Sequence, residues 1–170
     1  TMSDYEPTHD EGYEQEPTHE NHVHDEHVIV AQFTDGSQIA VVDEDHDGYA
    51  DVLATDEDGD GRPEAVYTDE YGGPALDTVY VDRNEDGYPE EAYADRNEDG
   101  YVDAAAADRD HDGAFDTYAF DNNFDGRVDQ VAFDPDEDGH VDKTVTDTDF
   151  DGTFDTVHYG DNDTNPYARA

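Results

Sequence analysis

A unit of 13 residues, repeated nine times from Asp43 to Tyr159 without insertion or deletion, limits what this chain can fold into more than any other feature. The units begin at Asp43, Asp56, Asp69, Asp82, Asp95, Asp108, Asp121, Asp134 and Asp147. A fixed period means one small structural unit stacked against copies of itself. The repeat is therefore the fold, and its consensus is D-x-(D/N)-x-D-G-x-x-(D/E) followed by four further residues.

Oxygen-bearing side chains recur at four positions of the unit. Position 1 is Asp43, Asp56, Asp82, Asp95, Asp108, Asp121, Asp134 and Asp147; position 3 is Asp45, Asp58, Asn84, Asn97, Asp110, Asn123, Asp136 and Asp149. Position 5 is Asp47, Asp60, Asp86, Asp99, Asp112, Asp125, Asp138 and Asp151; position 9 is Asp51, Glu64, Glu90, Asp103, Asp116, Asp129, Asp142 and Asp155. Position 7 varies freely (Tyr49, Arg62, Tyr88, Tyr101, Ala114, Arg127, His140, Thr153), which predicts that its backbone carbonyl is what matters. Position 6 is glycine in all eight of these units, the residue that enters positive φ without steric cost where a chain bends around an ion. Together they describe a hard-oxygen cage for Ca2+, with the side chains at 1, 3, 5 and 9 and the carbonyl at 7 as its ligands. The third unit departs from the pattern, with Tyr71, Gly73 and Pro74 at positions 3, 5 and 6, and is expected to be empty or weak.

An EF-hand needs a bidentate Glu at position 12. Position 12 here holds Ala54, Tyr67, Tyr93, Ala106, Ala119, Ala132, Val145 and His158, so an EF-hand is excluded. With the closing carboxylate at position 9, each loop resembles the DxDxDGxxD calcium loops of integrin α-subunit propellers, the FG-GAP or VCBS class. That resemblance covers the nine-residue loops and implies calcium held in a hairpin between two strands. It does not extend to a propeller, whose repeats are blade-sized. Thrombospondin type 3 and RTX repeats are looser relatives, the first relying on cysteines and the second on paired glycines that this chain lacks.

Composition explains why ions are needed. Leu, Ile, Val and Phe make up only 26 of 170 residues, the formal charge is −43, and there is no cysteine. Those values suit a disordered chain, and neither an ordinary core nor disulfides can supply the missing stability. Eight divalent ions would bring the charge from −43 to −27, still strongly anionic. Three loops with Asn at position 3 carry three carboxylates where the others carry four, so graded occupancy is expected. Magnesium, which prefers a smaller octahedral shell, should compete poorly; lanthanides should substitute well. With only seven Lys and Arg, a nucleic-acid-binding surface is excluded. No apolar run approaches a membrane span, so no membrane insertion is expected.

The four linking residues read as short strands, as in Val66-Tyr67-Thr68 or Val131-Ala132-Phe133. An all-β fold follows: a repetitive sheet, with an antiparallel meander favoured and a parallel β-solenoid with two repeats per turn as the alternative. Ala104 to Ala107 alone suggests helix, against the phase of the repeat. The expected organisation is a disordered acidic and His-rich tail over 1–26, a capping β-hairpin over 27–42 turning at Thr34-Asp35-Gly36-Ser37, the calcium-binding array over 43–159, and a flexible tail over 160–170.

Other signals are weaker. His9, His19, His22, His24 and His27 suit zinc or copper by chemistry but not by spacing. Identical recurring carboxylates do not provide the distinct environments of acid-base catalysis, and no nucleophile elbow or phosphate loop is present; an enzyme is not expected. Tyr67, Tyr80 and Tyr93 at position 12 suggest a stripe on one sheet face, available for cross-strand packing, a protein partner or a second copy. The start lacks a basic n-region and apolar h-region, which predicts a cytoplasmic protein or leaderless export, or a cell-surface one if the chain is a mature fragment. The function expected is a calcium-stabilised spacer, surface component or interaction module. A calcium buffer or sensor and an acidic DNA mimic are the alternatives.

Overall fold

The computed structural model describes residues 27–160. The tail predicted over 1–26, with His9, His19, His22 and His24, and all but Gly160 of the tail predicted over 160–170 lie outside the described residues. Eleven strands follow one another: β1 (Val28–Gln32), β2 (Gln38–Val42), β3 (Val52–Asp56), β4 (Ala65–Thr68), β5 (Thr78–Val81), β6 (Glu91–Ala94), β7 (Ala104–Ala107), β8 (Thr117–Phe120), β9 (Gln130–Phe133), β10 (Lys143–Thr146) and β11 (Thr156–Tyr159).

The strands form one open sheet in sequence order, each antiparallel to its neighbours. This is the meander; the solenoid alternative is excluded, because it needs parallel pairs. From β3 onward each 13-residue unit supplies a nine-residue loop and a strand of four residues, with β3 running one residue further to Asp56. Since direction reverses at every strand, loops alternate between the two edges. Loops starting at 43, 69, 95, 121 and 147 share one edge, and those starting at 56, 82, 108 and 134 share the other. Even the four alanines of β7, strong helix formers in isolation, are held in the sheet by neighbours on both sides.

Backbone hydrogen bonds carry the ladder into the loops. The N–H of position 9 closes each loop onto the residue before it, as in Glu64 N to Thr55 O at 3.0 Å. The N–H of position 1 reaches the position-9 carbonyl two units earlier, as in Asp82 to Glu64 at 2.9 Å and Asp108 to Glu90 at 2.9 Å. Loops on one edge are thus joined into a row.

An odd repeat length on reversing strands changes which residues share a face. Position 11 pairs with position 12 of the next strand, and paired residues lie on the same side. Leu53, Tyr67, Val79, Tyr93, Ala105, Ala119, Val131, Val145 and Val157 therefore make one row across the sheet. The expected tyrosine stripe is corrected by this register: Tyr67 and Tyr93 share a face with Val79 between them, while Tyr80 lies on the opposite face between Val66 and Ala92.

Among the described residues no second layer covers either face, and the buried apolar ones are two alanines, Ala92 at 8% exposure and Ala132 at 6%. The β1–β2 hairpin turns as expected, with Gly36 at φ +104° and Phe33 N to Ser37 O at 2.9 Å. It extends the sheet in its own plane rather than folding over the end, leaving Ile29 and Val30 on the outer strand 68% and 62% exposed. Among the described residues no helix is long and apolar enough to cross a membrane.

Candidate metal centre

The most buried side chains of this sheet are carboxylates: Asp129 and Asp147 are 3% exposed, Asp103 4%, and Asp108, Asp121 and Asp134 5%. All occupy position 1 or 9, where a loop meets a strand. Each loop folds around them by a repeated set of hydrogen bonds. One oxygen of position 1 accepts the N–H of the position-6 glycine in all eight intact loops, at 2.7–3.2 Å. Position 5 accepts the N–H of position 7 in all eight, at 2.8–3.2 Å. Position 3 accepts the N–H of position 5 in five loops. Position 9 reaches across to the N–H of position 2, as in Glu57 to Glu64 at 2.7 Å and Arg83 to Glu90 at 2.8 Å. The eight position-6 glycines adopt φ between +83° and +102°, as their role required.

The frame gathers acids. In the loops at 43, 56, 108 and 134 the carboxylates at positions 1, 3 and 9 lie within 4.8 Å of one another: Asp43, Asp45 and Asp51; Asp56, Asp58 and Glu64; Asp108, Asp110 and Asp116; and Asp134, Asp136 and Asp142. Position 5 is not part of these four groups, although Asp47, Asp60, Asp112 and Asp138 are docked to the same loops. Such convergence is unfavourable without a counter-charge. Among the described residues, two of the three buried side-chain oxygens that lack a hydrogen-bond partner are Asp82 Oδ1 and Asp134 Oδ1, both at position 1. An all-oxygen donor set with sealed, unpartnered carboxylate oxygens fits a hard divalent cation.

The loops are not equivalent. Where position 3 is an amide, it donates into the cage: Asn97 Nδ2 to Asp99 Oδ2 and Asn123 Nδ2 to Asp125 Oδ2, both at 3.2 Å, and Asn84 Nδ2 to Glu90 Oε1. In these loops a neutral amide donor takes the place of one carboxylate and hydrogen-bonds another. In the loop at 95, the Arg96 guanidinium also takes Asp103 Oδ1 at 2.5 Å and the Asp121 carbonyl at 3.0 Å. The third loop keeps the outer frame, with Asp69 accepting the Gly72 N–H at 2.6 Å and buried Asp77 accepting those of Glu70 and Tyr71.

Electrostatics follow the same geometry. Burial pushes the Asp108 carboxyl upward, but the N–H groups of Gly113, His111 and Asp112 outweigh it and hold it below its usual range. Hydrogen bonds from Thr148 and Thr156 lower Asp155, whereas the neighbouring Asp151 charge raises Asp149.

Position 4 escaped the sequence reading. Its residue is in the left-handed region in every loop, at φ from +54° to +68° in the seven non-glycine cases and +78° at Gly59 and Gly72. At Glu85, Glu98 and Glu137 the side chain lies against the preceding loop on the same edge. Glu98 lies over Gly73, where an added Cβ would sit 2.6 Å from its Oε1. Glu85 is pushed up by desolvation and by Asp60 and Asp58 of the loop before it. His46 reaches His27, Nε2 to Nε2 at 2.8 Å. The scattered residue types at this position hide the pattern; Gly59 and Gly72 were its one visible sign. Position 7 also leans forward, with Arg62 Nη1 on the Glu85 carbonyl at 2.6 Å, so its side chain contributes beyond the backbone carbonyl.

Comparison with family models, curated proteins and solved structures finds no match to this chain.

Proposed function

We propose that this chain is a calcium-binding repeat protein whose sheet is stabilised by about eight Ca2+ ions, serving as a structural spacer, surface component or interaction module. The observation that carries this reading is the inverted interior: acids at positions 1 and 9 are buried where a domain normally buries aliphatic groups, and Asp134 presents a sealed oxygen with no donor. The positions 1, 3, 5 and 9 side chains and the position-7 carbonyl would hold each ion. Its charge would offset the repulsion within each cluster, and so couple loop order to strand pairing through the position-1 to position-9 backbone bonds. The likeness of the loops to those of the FG-GAP class supports the choice of calcium, as does the absence of nitrogen or sulfur from the four gathered clusters.

Far-UV circular dichroism with and without EDTA, combined with a calcium titration, tests the proposal. Loss of sheet signal in EDTA and its recovery at millimolar calcium is the expected result. Recovery at micromolar calcium would favour a buffer or sensor, and an unchanged spectrum in EDTA would favour a metal-independent polyanion that mimics DNA.

A further inference from the structure

The loops starting at 108 and 134 are the only neighbours on one edge that both keep four carboxylates; every other adjacent pair includes an asparagine or the degenerate third loop. Between them lies Glu137, at position 4 of the later loop. Its φ of +54° directs the side chain back along the edge, and its carboxylate lies within 4.8 Å of those of Asp110 and Asp112. Asp110 belongs at once to this group and to the group formed with Asp108 and Asp116.

A second observation marks the same place. Glu137 Oε1 and Asp134 Oδ1 are both sealed from solvent without any hydrogen-bond partner, and Asp134 as a whole is 5% exposed. In the loop at 108, by contrast, Asp108 Oδ1 accepts the position-4 N–H of His111 at 2.7 Å. In the loop at 134 the Glu137 N–H bonds the Asp134 carbonyl at 3.3 Å instead, which leaves the carboxylate oxygen free. Asp134 Oδ1 in its own cage and Glu137 Oε1 in its neighbour's, with the Glu137 carboxyl lying against that of Asp112, are placed to receive positive charge in both.

We propose that these two loops hold a coupled pair of divalent cations, with Glu137 as a ligand contributed in trans by the second loop to the ion of the first. The inference rests on the metal-binding reading above and adds to it: this pair fills first and together, because ordering the loop at 134 delivers a ligand to the loop at 108. Strands β8 and β9 between them are thereby fixed before the rest of the array.

A calcium titration against a chromophoric chelator tests this on three chains: native, Glu137→Gln and Glu57→Gln, the last removing the same charge from an exposed position 2. The native chain is expected to fill its two tightest sites cooperatively. Glu137→Gln should weaken those two by about tenfold, on the scale of other losses near a bound metal, and abolish their cooperativity; Glu57→Gln should shift them less than about twofold. In EDTA the Glu137→Gln chain should be at least as stable as native, since it removes a carboxylate from beside two others. Glu137→Gln binding calcium as tightly as native, or more tightly, would overturn the bridge while leaving calcium binding intact. A native chain that binds no calcium would overturn both.

Discussion

Replacing Asp134 by Asn should change stability in opposite directions depending on whether calcium is present. The amide oxygen of Asn can keep the Gly139 N–H bond, 3.2 Å long in the native loop, so the frame survives and only charge is removed. In chelator the substitution ends the repulsion with Asp136 and Asp142, whose oxygens lie within 4.8 Å. At that distance each pair costs about 0.9 kcal/mol in water-like surroundings, so the metal-free chain should gain about 1 to 2 kcal/mol. With calcium at about 100 times its Kd, a filled site contributes about 2.7 kcal/mol, and losing it should dominate. Urea unfolding followed by circular dichroism reads both effects. Losing about 2.7 kcal/mol while regaining about 1 to 2 leaves a net loss of roughly 1 kcal/mol in calcium, so for a slope of about 2 kcal/mol/M the midpoint should fall by roughly 0.5 M in calcium and rise by roughly 0.5 to 1 M in EDTA. A midpoint that falls equally in both buffers would show that Asp134 serves only as a hydrogen-bond acceptor for its loop, and the argument from buried charge would fail.

Three other outcomes are expected. Desolvation, then Asp112 and Asp110, push the Glu137 carboxyl up to about 7 from an ordinary 4.5; a raised acid favours folding below its unfolded value and loses that contribution as pH rises through the folded one, so urea midpoints in chelator should rise from pH 8 to pH 5, less so in Glu137→Gln. Arg96→Gln should destabilise the metal-free sheet by about 2 kcal/mol, the worth of hydrogen bonds to a buried charge, yet tighten calcium at the loop from 95 to 103 by releasing Asp103, as calorimetric titration would record. Gly48→Ala meets open space at φ +93° and should cost about 1 kcal/mol for its left-handed backbone, whereas Gly59→Ala places a Cβ 2.2 Å from the Gly36 carbonyl and should lower the thermal midpoint further by displacing the β1–β2 turn.

The strands were legible because the 13-residue period separates loop from strand, with glycine at position 6 and short strand-like runs at positions 10 to 13; their antiparallel order was favoured over a solenoid only through the likeness of the loops to ones that join antiparallel strands. Faces were not legible. The tyrosines at position 12 line up in sequence, but reversing strands with an odd period send Tyr80 to the side opposite Tyr67 and Tyr93. Within the site, the docking of positions 1 and 5 on N–H groups of their own loop follows from the spacing, since side chains two apart in a tight turn meet successive N–H groups, whereas the gathering of positions 1, 3 and 9 without position 5 in the loops at 43, 56, 108 and 134 does not. Contacts between loops could not. Glu137 beside Asp112 and Glu98 over Gly73 depend on how far apart sheet pairing sets the loops and on a left-handed residue of no fixed type, and Arg96 on the Asp121 carbonyl depends on the same spacing.

Anomalous diffraction from crystals grown with calcium and soaked in a lanthanide locates such ions without assumption. The account predicts strong peaks inside the aspartate loops, including those at 108 and 134, each surrounded by the oxygens of positions 1, 3 and 9. An ordered sheet whose loops contain no peaks, with the acids turned toward water, would contradict it.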